Sequence, residues 1–285
     1  MVIVFVLSFF LLLSGYVVST LQSTSSTINI VEKVYKKQQS YHALLSLLPY
    51  IIQSLKSEDA SYDALSDPWA MPFAVQTEKG SLEVVIYDED RFLNLNKVGE
   101  DPLYREVFER LLNLLGVSQG YTDRLLAWIG KEPKNFESEY PLKRAPMDSP
   151  EELEFLGMKR DELYGKTEGD ISYPGVLSLV TTYSSGKINV NTAPKYILMA
   201  LDPGIDSSLA DRIIEYRAKK PFKSINDLVL VEGMSFDILY RIQKVIDVKS
   251  SFFRLKETVK TGDVETTLEV VYDRSKNEIV YKRLY

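Results

Sequence analysis

The chain has 285 residues, 45% of them hydrophobic, enough for one large or two ordinary domains with a sizeable core. A net charge of -6 argues against a protein held to nucleic acid by bulk electrostatics, which needs clustered Lys and Arg. The absence of cysteine and the single histidine, His42, exclude a disulfide framework, a thiolate metal site, a cysteine nucleophile and any His-rich metal cluster.

No charged residue occurs in 1–30, and 1–18 is apolar apart from Ser8, Ser14 and Gly15. At about 1.5 Å per residue that stretch reaches roughly 27 Å, close to the hydrocarbon thickness of a bilayer, so it predicts a single membrane anchor. A cleaved secretory signal is the competing reading, but the basic leading region and the Ala-x-Ala site are missing. Ile28, Val31, Tyr35, Gln38, Tyr41, Leu45, Leu48, Ile52 and Leu55 recur at three- and four-residue steps. They extend one helix to about residue 56, with a bend expected at Pro49, and its apolar stripe is expected to pack on a sheet. His42 reads as a surface or interface residue of this helix.

Residues 57–77 carry turn signals such as Asp67-Pro68 and Met71-Pro72 and read as a surface linker. Residues 81–87 read as a strand and 91–96 as a second, short one. Between them, Asp88-Glu89-Asp90 invites a calcium reading for Asp88 and Asp90. The spacing is not that of an EF-hand and no glycine holds its turn position, so a solvated turn is the favoured account. Residues 101–130 are helical by period, broken at Gly116, with Trp128 in a second helix at 122–129. After a proline-rich loop, Ser149-Pro150-Glu151-Glu152 reads as a helix start, with a capping Ser, a Pro whose missing N–H is harmless and acids at the positive end.

Residues 176–183 read as a strand leading into Lys187-Ile188-Asn189-Val190-Asn191-Thr192-Ala193-Pro194, the most patterned stretch of the chain. Thr192 is placed to cap the next helix. Helix 195–201, the turn Pro203-Gly204-Ile205-Asp206 and helix 207–218 form one hairpin. Ser224-Ile225-Asn226-Asp227 resembles a capping box, and helix 225–231, the turn Glu232-Gly233-Met234 and helix 235–246 repeat the unit. From 251 the period becomes alternating, and 252–259, 264–272 and 278–284 read as an antiparallel meander. Strands before and after a helical stretch point to one sheet with an insertion.

Paired helical hairpins raise the question of DNA. Helix-hairpin-helix binders aim backbone N–H groups at a phosphate from a turn with two glycines, but each turn here has one, and Asp206 would repel the phosphate. Asp206 is better read as a helix cap. Residues 195–247 hold eight acids and eight bases, so no positive field builds up.

Taken together, several features resemble one family, the minor pseudopilin called protein K of bacterial type II secretion systems. They are the uncharged N-terminal helix, Asp88 to Asn96 ending in Asn-Leu-Asn, Trp128 in Leu-Leu-Ala-Trp-Ile, and Ile188-Asn189-Val190-Asn191-Thr192-Ala193-Pro194. The 217–228 stretch with Pro221-Phe222 and the Ser251-Phe252-Phe253-Arg254 strand complete the set. The resemblance implies an α+β, pilin-like fold: a long N-terminal helix packed on an antiparallel sheet, with a large helical domain holding two helix-hairpin-helix-like units inserted in the sheet. The expected divisions are 1–57 for the transmembrane and pilin helix, 58–97 for the first part of the α/β domain, 98–247 for the insert with hairpins at 195–247, and 248–285 for the closing strands.

The resemblance further implies a protein that is not an enzyme. It would be anchored by a single pass in the bacterial inner membrane with its globular part in the periplasm. With other minor pseudopilins it would form the pseudopilus tip, starting assembly and helping to push folded proteins through the outer membrane. The major pseudopilin and the inner-membrane assembly platform are further implied partners; nucleic acid is not. Val2, Phe5, Phe9 and Leu12 would pack in membrane and fibre, and Phe5 stands nearest the position where most pilins carry a glutamate that pairs with a neighbour, an acid a tip subunit lacks. No basic leader precedes Met1, which reads as mature-like numbering or a start set too late. No cofactor is required; calcium, which the resemblance would otherwise imply, is disfavoured because Ala127 and Gly130 stand where family members often have Asp. The alternatives are a membrane-anchored DNA-binding or DNA-uptake protein using the hairpins, and a hydrolase using Asp88 and Asp90, which the carboxylate spacing does not support.

Overall fold

The structure, a computed structural model, describes residues 2–58, 61–78, 80–131, 140–169 and 171–285, with the backbone alone for 2–12, 168 and 171. Helix α1 runs unbroken over Val2–Ser57, through Pro49. Its buried side is Ser40, Leu44, Leu48, Ile51 and Leu55, at helical steps of three and four, so that one face meets the sheet. The stripe expected from Ile28 onward is corrected on two points. The packing line runs one residue before Leu45 and Ile52, which are half-buried, and it begins only at Ser40. Ile28, Val31 and Tyr35 are exposed, since among the described residues the buried face of the helix starts only at Ser40. Val2, Phe5, Phe9 and Leu12 lie outside the described side chains, as does most of the expected anchor. Among the described residues no helix is long and apolar enough to cross a membrane.

The sheet under α1 is antiparallel throughout. It consists of β1 (Phe73–Thr77), β2 (Gly80–Asp88), β9 (Phe252–Thr261), β10 (Val264–Asp273) and β11 (Glu278–Leu284), in that spatial order. The C-terminal meander is as the alternation predicts. The supposed linker 57–77 is corrected: its last five residues form the edge strand β1, paired with β2 from Phe73↔Val84 to Thr77↔Gly80. Phe253, Leu255, Leu268, Val270, Tyr272 and Val84 project from the sheet to Leu44, Leu48, Ile51 and Leu55 and form one core, closed by Trp69.

Between β2 and β9 the chain leaves the sheet, and it returns beside its point of departure: Asp88 pairs with Phe253, and Glu89 N donates to Phe252 O at 2.9 Å. The excursion builds a second, larger core. Its first part holds β3 (Leu93–Asn94), α2 (Pro102–Leu114), α3 (Gly120–Trp128), α4 (Arg160–Tyr164), the hairpin β4 (Gly165–Glu168) and β5 (Ile171–Pro174), and β6 (Val180–Thr181). Its second part holds β7 (Ile188–Asn189), α5 (Lys195–Leu201), α6 (Ser207–Lys219), α7 (Phe236–Ile242) and β8 (Ile246–Asp247). Helix α2 starts as a capped helix should, with Asp101 Oδ1 accepting from Leu103 N at 2.8 Å and Pro102 in its first turn.

Several local expectations change. The strands read at 91–96 and 176–183 shrink to β3 and β6, two residues each and parallel to one another, each next to a 3-10 turn (Leu95–Lys97 and Val176–Ser178). The helices read after Ser149 and Ser224 are 3-10 turns, Pro150–Leu156 and Ile225–Leu230. The last helix stops at Ile242, so that Ile246–Asp247 can pair in parallel with β7. In each case a tertiary contact decides over a local preference that either conformation satisfies.

Candidate functional site

The point where the insert joins the sheet is a buried polar knot built from five separate stretches. Asp88, Glu89 and Asp90, read from the sequence as a solvated turn, are 1%, 2% and 0% exposed. Three consecutive acids can be buried there because donors surround them. Asp88 Oδ2 accepts from Thr192 Oγ1 at 2.5 Å, Ser250 Oγ at 2.6 Å and Asn189 Nδ2 at 3.2 Å, and Asp88 Oδ1 accepts from Asp90 N at 2.8 Å. Asp90 accepts from the backbone N–H of Ser185 at 2.6 Å, Ser251 at 2.5 Å and Phe252 at 3.1 Å. Glu89 takes the Thr181 hydroxyl and the Arg254 guanidinium, and Arg254 also reaches Glu269. A fourth acid, Asp63, accepts both terminal nitrogens of Arg274, at 2.9 and 2.6 Å, and Ser250 N at 2.7 Å. The calcium reading of Asp88 and Asp90 therefore meets carboxylates whose oxygens already accept protein donors. Among the described residues no group of three or more His, Cys, Asp or Glu is arranged to hold a metal ion.

Asn189 is the centre of this knot. Its Nδ2 donates to Ser250 Oγ at 2.7 Å, Asp63 O at 3.0 Å and Asp88 at 3.2 Å, and its Oδ1 accepts from Asn191 N at 2.9 Å. Asn191 faces the other way and binds the Phe222 backbone twice, giving Nδ2 to its carbonyl at 2.9 Å and taking its N–H at 2.8 Å. Two amides, two residues apart, thus tie the hairpin pair to the sheet on one side and to the Pro221-Phe222 connection on the other. Thr192 does not cap α5, whose cap position is Pro194; its hydroxyl goes to Asp88.

Burial and the neighbouring Asp90 carboxylate push Asp88 up to about 7, against the pull of the Ser250 and Thr192 hydroxyls. Burial likewise raises Asp90. Burial would lower Arg254, but Glu89 and Glu269 outweigh it and raise the group. For an acid raised in the folded state, the native protein holds the proton more tightly than the unfolded chain. Its stabilisation is complete below the unfolded value of about 4 and is lost as pH rises through about 7. Between pH 5 and 8 the urea midpoint of the protein is therefore expected to fall, and Asp88→Asn is expected to make that slope shallower. An equally steep slope in the variant would show that Asp88 does not carry it.

The hairpins use their turns on each other. Asp206 caps α6 by accepting from Leu209 N at 2.7 Å, and Ser224 and Asp227 form the expected capping box. In the first turn Gly204 N donates to Asp202 Oδ1 at 2.8 Å, so the amide that would meet a phosphate is already bound to a carboxylate. Asp202 also receives Arg241 of α7 in a two-pronged pair, at 2.6 and 2.8 Å, and Arg212 of α6 donates to Glu232 O at 2.7 Å. A Cβ on Gly204 would stand 2.9 Å from Ile238 Cδ1, and one on Gly233, whose φ is +89°, would stand 2.7 Å from Arg212 Nη2. Each turn glycine makes room for the opposite hairpin. On its outward side the second hairpin leaves Leu230, Phe236 and Tyr240 exposed.

The sequence singled out Asp88 and Asp90 as candidates and Asn189, Asn191 and Thr192 as a pattern, and the structure brings them together. Asp63, Ser250 and Arg274 were missed; Asp63 lies in the stretch between α1 and β1 and the other two flank strand ends, and polar character there carries no information about burial.

A long helix on an antiparallel sheet that is split by a helical insert, with a hairpin pair locked at the split, is a pilin-like architecture carrying an extra helical domain. Residues 188–248, which begin at β7 and end just past β8, match the family model of the type II secretion system (T2SS) protein K. Across almost the whole chain the fold is similar to that of a chain in the crystal structure of the GspK-GspI-GspJ complex from the type 2 secretion system of enterotoxigenic Escherichia coli. The TM-score is 0.63 and the identity 18%, over 92% of this chain and 99% of that one. Compared with curated proteins, the sequence has no match. The resemblance to type II secretion system protein K read from the Asn-x-Asn-Thr-Ala-Pro stretch is thus found in the sequence of 188–248 and in the fold of the whole.

Proposed function

We propose that this protein is a minor pseudopilin that joins two other minor pseudopilins at the tip of the periplasmic pseudopilus, where it starts assembly and helps to push folded proteins through the outer membrane. The observation that carries this reading is the division of α1. From Ser40 onward it is packed on its own sheet, whereas before Ser40 its apolar side chains, among them Leu13, Val17, Leu21, Ile28 and Val31, are exposed. Residues 13–39 alone project about 40 Å at the helical rise. The apolar side chains exposed along this stretch are suited to lipid before assembly and to other helices afterwards. The uncharged 1–30 segment supports a single-pass inner-membrane anchor with the globular part in the periplasm. Partnership with minor pseudopilins is supported by the likeness to a chain solved in a GspK-GspI-GspJ complex, and the reading assigns no catalytic role.

The DNA-uptake alternative is disfavoured by turn amides bound to Asp202 and by the balanced charge of 195–247. The test is to mix the full-length chain, in detergent, with the two candidate partner pseudopilins and separately with duplex DNA at moderate salt. A discrete three-protein complex and no DNA shift is the expected result. Salt-sensitive DNA binding without a protein complex would overturn the assignment.

A further inference from the structure

Beneath α1 lies a carboxyl group that takes no part in the polar knot. Glu257 sits in β9 between Leu255 and Val259 along the strand and is flanked by Val84 of β2 and Leu268 of β10. It shares the helix-facing side of the sheet with Phe253 and Leu255, which join the core under α1. It is 0% exposed, and among the described residues neither Oε1 nor Oε2 has a hydrogen-bond partner. Its diagonal neighbour on β10, Thr266, is equally buried and its hydroxyl is also without a partner.

The charged groups around it are engaged elsewhere. Lys256 and Lys260 of β9, Glu83 of β2, and Glu265 and Glu269 of β10 fall on the opposite face by strand alternation. On the helix side, Lys33 is paired with Asp263 and Lys36 with Glu32, Lys37 and His42 are exposed, and Lys282 of β11 lies 5.5 Å over the Tyr41 ring. Among the described residues burial is therefore the influence on Glu257, and it raises the group to about 7.

We propose that Glu257 is a proton-dependent latch for α1: the helix packs on the sheet with this carboxyl protonated and loosens from β9 and β10 when the proton leaves. A neutral carboxylic acid is tolerable in an apolar layer, whereas a carboxylate without a partner is not. The sign follows from linkage. The folded state binds the proton more tightly than the unfolded chain, so the contribution is full at acid pH and is lost as pH rises through about 7. The inference concerns the joint between the sheet and the projecting helix and stands whether or not the protein caps a fibre.

Hydrogen exchange on the full-length chain in detergent, at pH 6 and pH 8.5 and corrected for intrinsic rates, tests it. Protection of backbone amides in 40–55 is expected to fall on the order of tenfold at the higher pH. Glu257→Gln and Glu257→Leu are each expected to abolish that fall, and Asp88→Asn, which alters the other end of the sheet, to keep it. Unchanged protection in the unmutated protein, or the same fall in both Glu257 variants, would overturn the latch.

Discussion

Replacing Asn189 by alanine is expected to cost about 3–5 kcal/mol of stability and to lower the melting temperature by roughly 10 °C. The side chain supplies donors to Ser250, the Asp63 carbonyl and Asp88, and an acceptor for Asn191 N, all in a site where no water competes. Each buried polar group left without a partner costs about 1–3 kcal/mol, and local relaxation keeps the total below the simple sum. Asn189→Asp keeps the acceptor but sets a further carboxylate beside Asp88 and Asp63, and is expected to be at least as damaging. Asn191→Ala loses only the two bonds to Phe222 and is expected to loosen the hairpin pair by about 2 kcal/mol. Thermal melting of the three variants checks the order. A loss below about 1 kcal/mol for Asn189→Ala would show that the knot is not what joins insert to sheet.

Arg274→Met is expected to be of similar size, about 3–5 kcal/mol, for a different reason. Arg274 neutralises Asp63 through two hydrogen bonds, also reaches the Ser250 carbonyl, and lies 4.9 Å over the Phe253 ring. Without it the Asp63 side chain, 2% exposed, is a buried charge with no counterion. The double variant Asp63→Asn with Arg274→Met removes the charge together with its partner and is expected to recover a large part of the loss. A double variant as unstable as the sum of the two single changes would mean that the charge pairing is not the source of the effect. Both experiments bear on the architecture, because the knot sets the orientation of the helical insert relative to the sheet that carries α1.

The parts of this protein that were legible in its sequence are those governed by near neighbours. Apolar residues at steps of three and four gave the long helix and α2; alternation gave β9, β10 and β11; Asp206 and Ser224 announced their caps because a cap is satisfied within three residues. Asn189 and Asn191 stood out as a pattern, and the balanced charge of the hairpins already spoke against a phosphate grip. What the sequence could not hold is how far along α1 the sheet extends, which decides that Ser40 is buried and Ile28 exposed. Nor could it show that 73–77, behind a run of turn signals, pairs with β2 as an edge strand. The misreading of Asp88, Glu89 and Asp90 has the same origin. Three adjacent acids belong in water unless donors converge on them, and theirs come from Thr181, Ser185, Asn189, Thr192, Ser250 and Arg254, distant in sequence. Local patterns fix helices, strands and caps, but burial of charge is a property of the assembled core, and only the closure of insert on sheet determines it.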